Sequence, residues 1–327
     1  GSFVGTAYTF ATEKNQYGQL WTWGNNQYGI LGQNNETQYS SPVQIPGTTW
    51  KTLPTGGGDN AYRAAAIKVD GTLWNWGHNT NGQLGQNNTT HYSSPVQIPG
   101  TTWKYISNRG AVIATKTDNT LWTWGTNTKG QLGQNNITKY SSPAQIPGTN
   151  WSIANKHTIS NGAMTSYLIK TDNTLWVMGY NHKGQAAQNN TSTNYSSPTQ
   201  IPGTTWAAIS SFTYGTIATK TDGTLWSWGL NEYGQLAVND RTNRSSPIQV
   251  GTDTTWGILN AAVSRFGVNA IKTDGTLWAW GNNTNGGMGG TGTRSSPTQI
   301  PGTTWKEIAI GDDGSRIAVK TDGTLWT

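Results

Sequence analysis

Apolar and polar positions alternate along this chain in short runs, and the runs recur. Seven Leu-Trp pairs mark the phase, with Leu20, Leu73, Leu121, Leu175, Leu225, Leu277 and Leu325 spaced by 53, 48, 54, 50, 52 and 48 residues. Within one period four extended segments follow one another, exemplified by Trp103–Ile106, Val112–Lys116, Thr120–Trp124 and Pro143–Ile146, and named here a, b, c and d. Asp-Gly or Asp-Asn joins b to c, which predicts a tight hairpin with a two-residue type I′ turn. Segment d leaves through Ile-Pro-Gly-Thr, and c leaves through a Gly-rich stretch of about sixteen residues. Helical periodicity is absent.

The eighteen Trp fall on three repeat positions: seven after the phase Leu, five before the following Gly and six opening segment a. In segment c the two Trp share one face and the Leu points to the other, as in a strand held between two sheets. All the Trp are therefore expected in the core. Sheets stacked radially bury both faces against their neighbours, whereas a solenoid needs polar capping repeats that this chain lacks. The predicted fold is all-β, a β-propeller of four-stranded antiparallel blades of about 50 residues, forming one domain over residues 1–327. Seven b–c hairpins favour seven blades, and six complete c-to-d-to-a passages leave six as the alternative. The chain ends are expected to meet in one blade or at one blade boundary.

Charge changes this picture little. Charged residues make up 11% of the chain, against about 25% in ordinary globular proteins. The net charge is +6, but Lys68, Lys116, Lys170, Lys220, Lys272 and Lys320 each stand two before an Asp, and these pairs are expected to cancel. The other basic residues form no run, so the reading is of no nucleic-acid partner. Without Cys there is no disulfide or thiolate chemistry. No apolar run approaches the roughly 18 residues of a membrane helix, so no membrane association is expected.

The stretches Trp76-Gly-His-Asn-Thr-Asn-Gly-Gln-Leu-Gly85 and Trp124-Gly-Thr-Asn-Thr-Lys-Gly-Gln-Leu-Gly133 share a W-G-x-N-x-x-G-Q-L-G signature. It resembles the repeat of the regulator of chromosome condensation family, and the resemblance covers the whole chain. It implies a seven-bladed propeller. Gln185-Ala-Ala, Gln235-Leu-Ala and Gly287-Met-Gly depart from the pattern, as does Met178 in place of a Trp. The resemblance implies functions as different as nucleotide exchange on a small GTPase, chromatin binding, photoreception and secreted enzyme inhibition. This chain has neither the inserted hairpin and basic tail of the exchange factors nor the Gly-Trp-Arg-His-Thr context of the photoreceptors. Repeats so alike, rich in Asn and Thr, are similar to those of environmental bacterial and phage proteins, which implies an extracellular or virion-surface location.

Positions constant among the repeats read as scaffold, and positions that differ are where function is written. The a-to-b loops vary most, and strand alternation places them on the same face as the c-to-d loops. That face is expected to carry Tyr62, Arg63, Arg109, His157, Phe212, Tyr214, Arg265 and Phe266, the aromatic and Arg mixture of binding hot spots. The expected function is a non-enzymatic binding or structural module for a protein or glycan. One alternative is a hydrolase or lyase using His157 with Asp312 and Asp313 at the centre; another is exchange-factor or chromatin-type partner binding. His78, His91, His157 and His182 stand at different repeat phases and make no blade-symmetric metal ring. Neither a phosphate-binding G-x-x-x-x-G-K-[ST] nor a G-x-S-x-G elbow occurs, and no cofactor is expected.

Overall fold

The computed structural model describes residues 18–54, 62–265, 267–282, 292–310 and 316–326. Strand pairing follows the period. In one blade, strand a (Trp103–Ser107) pairs with b (Ala111–Lys116), b with c (Leu121–Gly125), and c with d (Tyr140–Ile146), all antiparallel. Four-stranded sheets of the same order follow over residues 159–201, 206–249 and 260–300, and a three-stranded a–b–c sheet closes the series over 305–326. Two short 3-10 turns, Gln27–Gly29 and Lys156–Thr158, interrupt an otherwise all-β architecture among the described residues.

The described residues make six sheets, hence six blades, the alternative rather than the favoured seven. The reason lies in the strand Tyr39–Thr52. It runs unbroken from a d position, where Ile45 faces Leu20, to an a position, where Trp50 faces Lys68. The first c–d pair is thereby joined to the following a–b–c–d set as one five-stranded sheet instead of counting as a blade of its own. The b segment that would precede Gly18 lies outside the described residues.

The core sits between blades. Ala65, Ile67, Leu73 and Ile98 of one sheet pack on Trp103, Ile106, Val112, Ala114 and Trp124 of the next. Three boundaries are also pinned by an indole hydrogen bond: Trp124 Nε1 donates to the Gln83 carbonyl at 2.8 Å, Trp228 Nε1 to the Gln185 carbonyl at 3.0 Å and Trp280 Nε1 to the Gln235 carbonyl at 2.9 Å. The signature Asn explains the loop between c and d. Buried Asn79 donates from Nδ2 to the carbonyls of Asn88 and Thr90, while its Oδ1 accepts the Leu84 N–H at 2.8 Å. One side chain thus satisfies three backbone groups of a loop that has no ladder of its own.

Three expectations are corrected. First, the b–c connection is a three-residue turn. Asn119 N–H donates to Lys116 O and Lys116 N–H to Thr120 O, with Asn119 at φ 62° and no positive φ at Asp118. This is a type I turn ending in a left-handed residue, where type I′ would need positive φ at both central positions. Second, Trp burial depends on position: Trp76, Trp124, Trp228 and Trp280 are fully buried, but the Trp after the phase Leu are half-buried, and Trp21 and Trp326 reach 37% and 50% exposure. Third, the repeated Lys and Asp attract one another, as expected, but among the described residues they make no direct ion pair. Asp70 Oδ1 instead accepts the Thr72 N–H and hydroxyl at 3.0 and 2.7 Å, which holds its carboxyl below the usual carboxylate range, and Lys68 Nζ lies over the Trp50 and Trp74 rings.

Candidate functional site

The a-to-b turns do gather, and the predicted Arg residues are what joins them. Arg63 opens strand b, and its Nη2 donates to the carbonyls of Asn108 and Gly110 in the turn of the next blade. Arg109, in that turn, donates from Nη2 to Thr213 Oγ1 at 3.0 Å, two blades further on. Arg63 is 7% and Arg109 1% exposed, and burial lowers the Arg63 pKa to about 10. The a strands of neighbouring blades contact one another below these turns, where Ser160 and Ser211 hydroxyls meet at 2.8 Å. The two guanidinium groups therefore tie the a-to-b turns of different blades to one another.

Phe212 is 1% exposed and packs in the core with Val263, Val268 and Trp280, its ring lying against Gly215. His157 occupies the 3-10 turn Lys156–Thr158, an insertion between the Trp151–Lys170 bridge and the short strand Ile159–Asn161. It is not in the a-to-b turn of its blade, which falls at residues 162–164. Burial, reinforced by Lys156, lowers its pKa to about 4. Arg265 is exposed, and Tyr62 and Tyr214 are half-buried. Phe266, Asp312 and Asp313 lie outside the described residues, and with them the proposed enzymatic pairing with His157. Among the described residues no group of three or more His, Asp or Glu is placed to hold a metal ion.

The face carries aromatic residues that repeat comparison alone passes over. Tyr28, in the first c-to-d loop, meets the Tyr62 ring at 5.4 Å, His78 at 4.6 Å and His91 at 5.0 Å, and the two imidazoles stack at 4.9 Å. Tyr28 holds φ 63°, a left-handed conformation that costs a non-Gly residue about 1 kcal/mol or more. His91 Nδ1 accepts the Asn79 N–H at 2.9 Å, which fixes its tautomer. Desolvation, then His91 and Arg63, lowers the His78 pKa, which disfavours its imidazolium. A second group, Tyr180 with His182 at 5.8 Å and Tyr214 at 6.3 Å, stands at a later boundary, with Lys129 over the Tyr180 ring. The signal that could have found them is the loop position itself: Tyr28 aligns with Asn81, Lys129, Lys183 and Tyr233, a different contact at each boundary.

Comparison with known proteins agrees with this architecture. The sequence model of the regulator of chromosome condensation (RCC1) repeat matches residues 17–53, 70–107, 118–160, 222–263 and 274–316. Among curated proteins, the mitochondrial RCC1 domain-containing protein RUG3 of Arabidopsis thaliana is 30% identical over 105 residues, 31% of this chain and 22% of that protein. The human E3 ubiquitin-protein ligase HERC2 is 26% identical over 91 residues, 28% of this chain and 2% of that protein. The matches thus span under a quarter of the length of these relatives. Human WBSCR16 superposes with a TM-score of 0.78 at 19% identity, covering 94% of this chain and 88% of its own. Yeast RCC1 (Prp20), solved bound to Kap60, gives 0.78 at 18% identity, covering 99% and 82%. These likenesses bear on the fold.

Proposed function

Because the chain belongs to the regulator of chromosome condensation repeat family, we propose that it is a non-enzymatic protein-binding module whose a-to-b and c-to-d face docks a protein partner. The observation that carries this reading is the aromatic cluster of Tyr28, Tyr62, His78 and His91. Four partly exposed rings from loops of one five-stranded sheet stand on a scaffold that buried Arg63 and Arg109 lock in place. Such preorganised aromatics lose little side-chain entropy on binding, which is why a few of them can dominate an interface. The yeast structures support a protein over a glycan, since one is a complex with Kap60 and another concerns binding to Gsp1p and histones.

The test replaces Tyr28 and Tyr62 by Ala together and compares capture of labelled proteins and a glycan array with the parent. Thr72→Ser at the opposite end of the strands is the control. Partners captured by parent and control but not by the Tyr variant are expected. Unchanged protein capture, or loss of glycan capture alone, would overturn the protein reading of this face.

A further inference from the structure

At the other end of strand b, away from the aromatic cluster, one arrangement recurs in six copies. Lys68 Nζ stands 4.8 Å from the Trp50 ring and 4.1 Å from the Trp74 ring, and Lys116 Nζ stands 4.6 and 4.4 Å from Trp103 and Trp122. Strand register builds the clamp, since Trp103 faces Lys116 directly and Trp122 lies on the same face diagonally. The nearby Asp is spent on its own turn: Asp118 Oδ1 accepts the Thr120 N–H and hydroxyl at 3.0 and 2.6 Å. Among the described residues no carboxylate pairs with Lys68, Lys116, Lys170, Lys220 or Lys320.

The sixth copy differs. There Val-Gly-Thr-Asp replaces Ile-Pro-Gly-Thr before the Trp, and Asp253 Oδ2 accepts a hydrogen bond from Lys272 Nζ. Lys272 keeps its place over Trp256 and Trp278 at 4.8 and 4.0 Å. A clamped ammonium can therefore take a carboxylate without leaving its indoles. At Lys68 the clamp opens on a cleft of about 290 Å³ that Pro46, Trp50, Trp74, Ser94 and Pro95 help to line.

We propose that the five clamps lacking a carboxylate form a ring of binding sites for the carboxylates of an acidic peptide segment, the chain's own Asp253 filling the sixth. The bound Asp253 sets the ligand class. Indole faces already occupied by an ammonium are not open to stacking bases, which argues against single-stranded nucleic acid. One partly exposed ion pair contributes little, so useful affinity needs several sites engaged by one chain. The sites lie opposite the face assigned above, and the inference stands or falls separately from that assignment.

The probe is poly-L-glutamate, titrated into the protein at low and at physiological salt. Binding that weakens with salt is expected. Replacing Lys68, Lys116 and Lys170 by Met should weaken it about tenfold or more, through loss of simultaneous engagement. Their replacement by Arg should retain it. Removing the same charge at exposed Lys51, Lys139 and Lys156 should leave it unchanged; an equal loss there would mean bulk attraction and overturn the proposal. On the unaltered protein, poly-L-glutamate should slow acetylation of the five lysines but not of Lys272, a readout that does not depend on any variant folding. No protection, no binding at low salt, or tighter binding of a DNA oligomer of equal charge would each overturn it.

Discussion

The two ends of the blade strands are made from the same repeat by opposite rules. At the b–c end, Asp, Thr, Lys and two Trp recur with nearly fixed geometry, so Trp74, Trp122, Trp176, Trp226 and Trp278 each donate Nε1 to the Thr hydroxyl two residues earlier at 2.8–3.0 Å. At the a–b end each blade does something different: Arg63 reaches the next turn, Arg109 reaches two blades on, and Tyr28 closes an aromatic cluster. A repeat can standardise one end because contacts there stay within a blade or repeat with it. At the other end turns of different blades contact one another, and each contact is made by a different side chain.

The largest effect expected of breaking this comparison comes from the blade boundary. Trp124→Ala should cost about 3 to 5 kcal/mol in denaturant unfolding, as for a large core aromatic. Its neighbour Trp122, half-buried under Lys116, should cost roughly 1 to 2 kcal/mol, since it loses less buried area and one cation–π contact. Equal costs would mean that the two Trp positions are equivalent after all.

Next in size is Arg109→Ala, expected to cost about 2 to 3 kcal/mol from the cavity left and the hydrogen bonding lost. Exposed Arg265→Ala should stay within about 0.5 kcal/mol. From sequence these two, with Arg63, read as equivalent residues of one binding face. The structure separates them, and thermal unfolding of the single variants checks the separation.

The pH dependence is smaller. His157 titrates near 6.5 when unfolded and at about 4 when folded, because burial and then Lys156 disfavour the imidazolium. Between those values the unfolded chain binds more protons, so stability is full above about pH 6.5 and falls as pH drops toward 4, by about 1 kcal/mol once partial exposure is allowed for. His157→Asn should flatten that slope. His78 is shifted the same way, so the double variant completes the measurement, while the turn carboxylates such as Asp70 titrate below this window.

The contrast between the ends also explains what the sequence could tell. Strands, period and interblade core were legible because alternation and the Asp-Gly and Pro-Gly turns are local signals. Their shared period could not show that Tyr39–Thr52 runs on without a break, which decided six sheets against seven. The turn type was misread because Asp-Gly serves a type I turn with a left-handed third residue as well as a type I′ turn. Lys116 and Asp118 looked paired by spacing, but cross-strand register puts the Lys on the Trp face. Charged loop residues are usually exposed, and only the meeting of turns from several blades buries Arg63 and Arg109. Tyr28 was passed over because its loop carries the scaffold signature.

The smallest effect bears on how far the repeat tolerates drift at its standard positions. The last Gly of the signature, Gly85, has φ 69°, and a Cβ there would stand 3.1 Å from Trp124 Nε1 and 3.3 Å from Ile98 Cδ1. Two blades put Ala at the same position, with Ala187 at φ 56° and Ala237 at φ 60°, each accepting the left-handed conformation while Trp228 and Trp280 keep their hydrogen bonds to the preceding blade. The neighbouring indole therefore gives way to a methyl group, and what remains is the backbone penalty of a non-Gly residue. Ala187→Gly should then stabilise the protein by about 0.5 to 1 kcal/mol, and Gly85→Ala should destabilise it by a similar amount. If Gly85→Ala costs several times more, the clash with Trp124 dominates and the blades are not interchangeable even at their shared end. If Ala187→Gly destabilises, the methyl group has become part of the boundary core that Ile201 and Trp206 complete, and the drift is repacking specific to that blade.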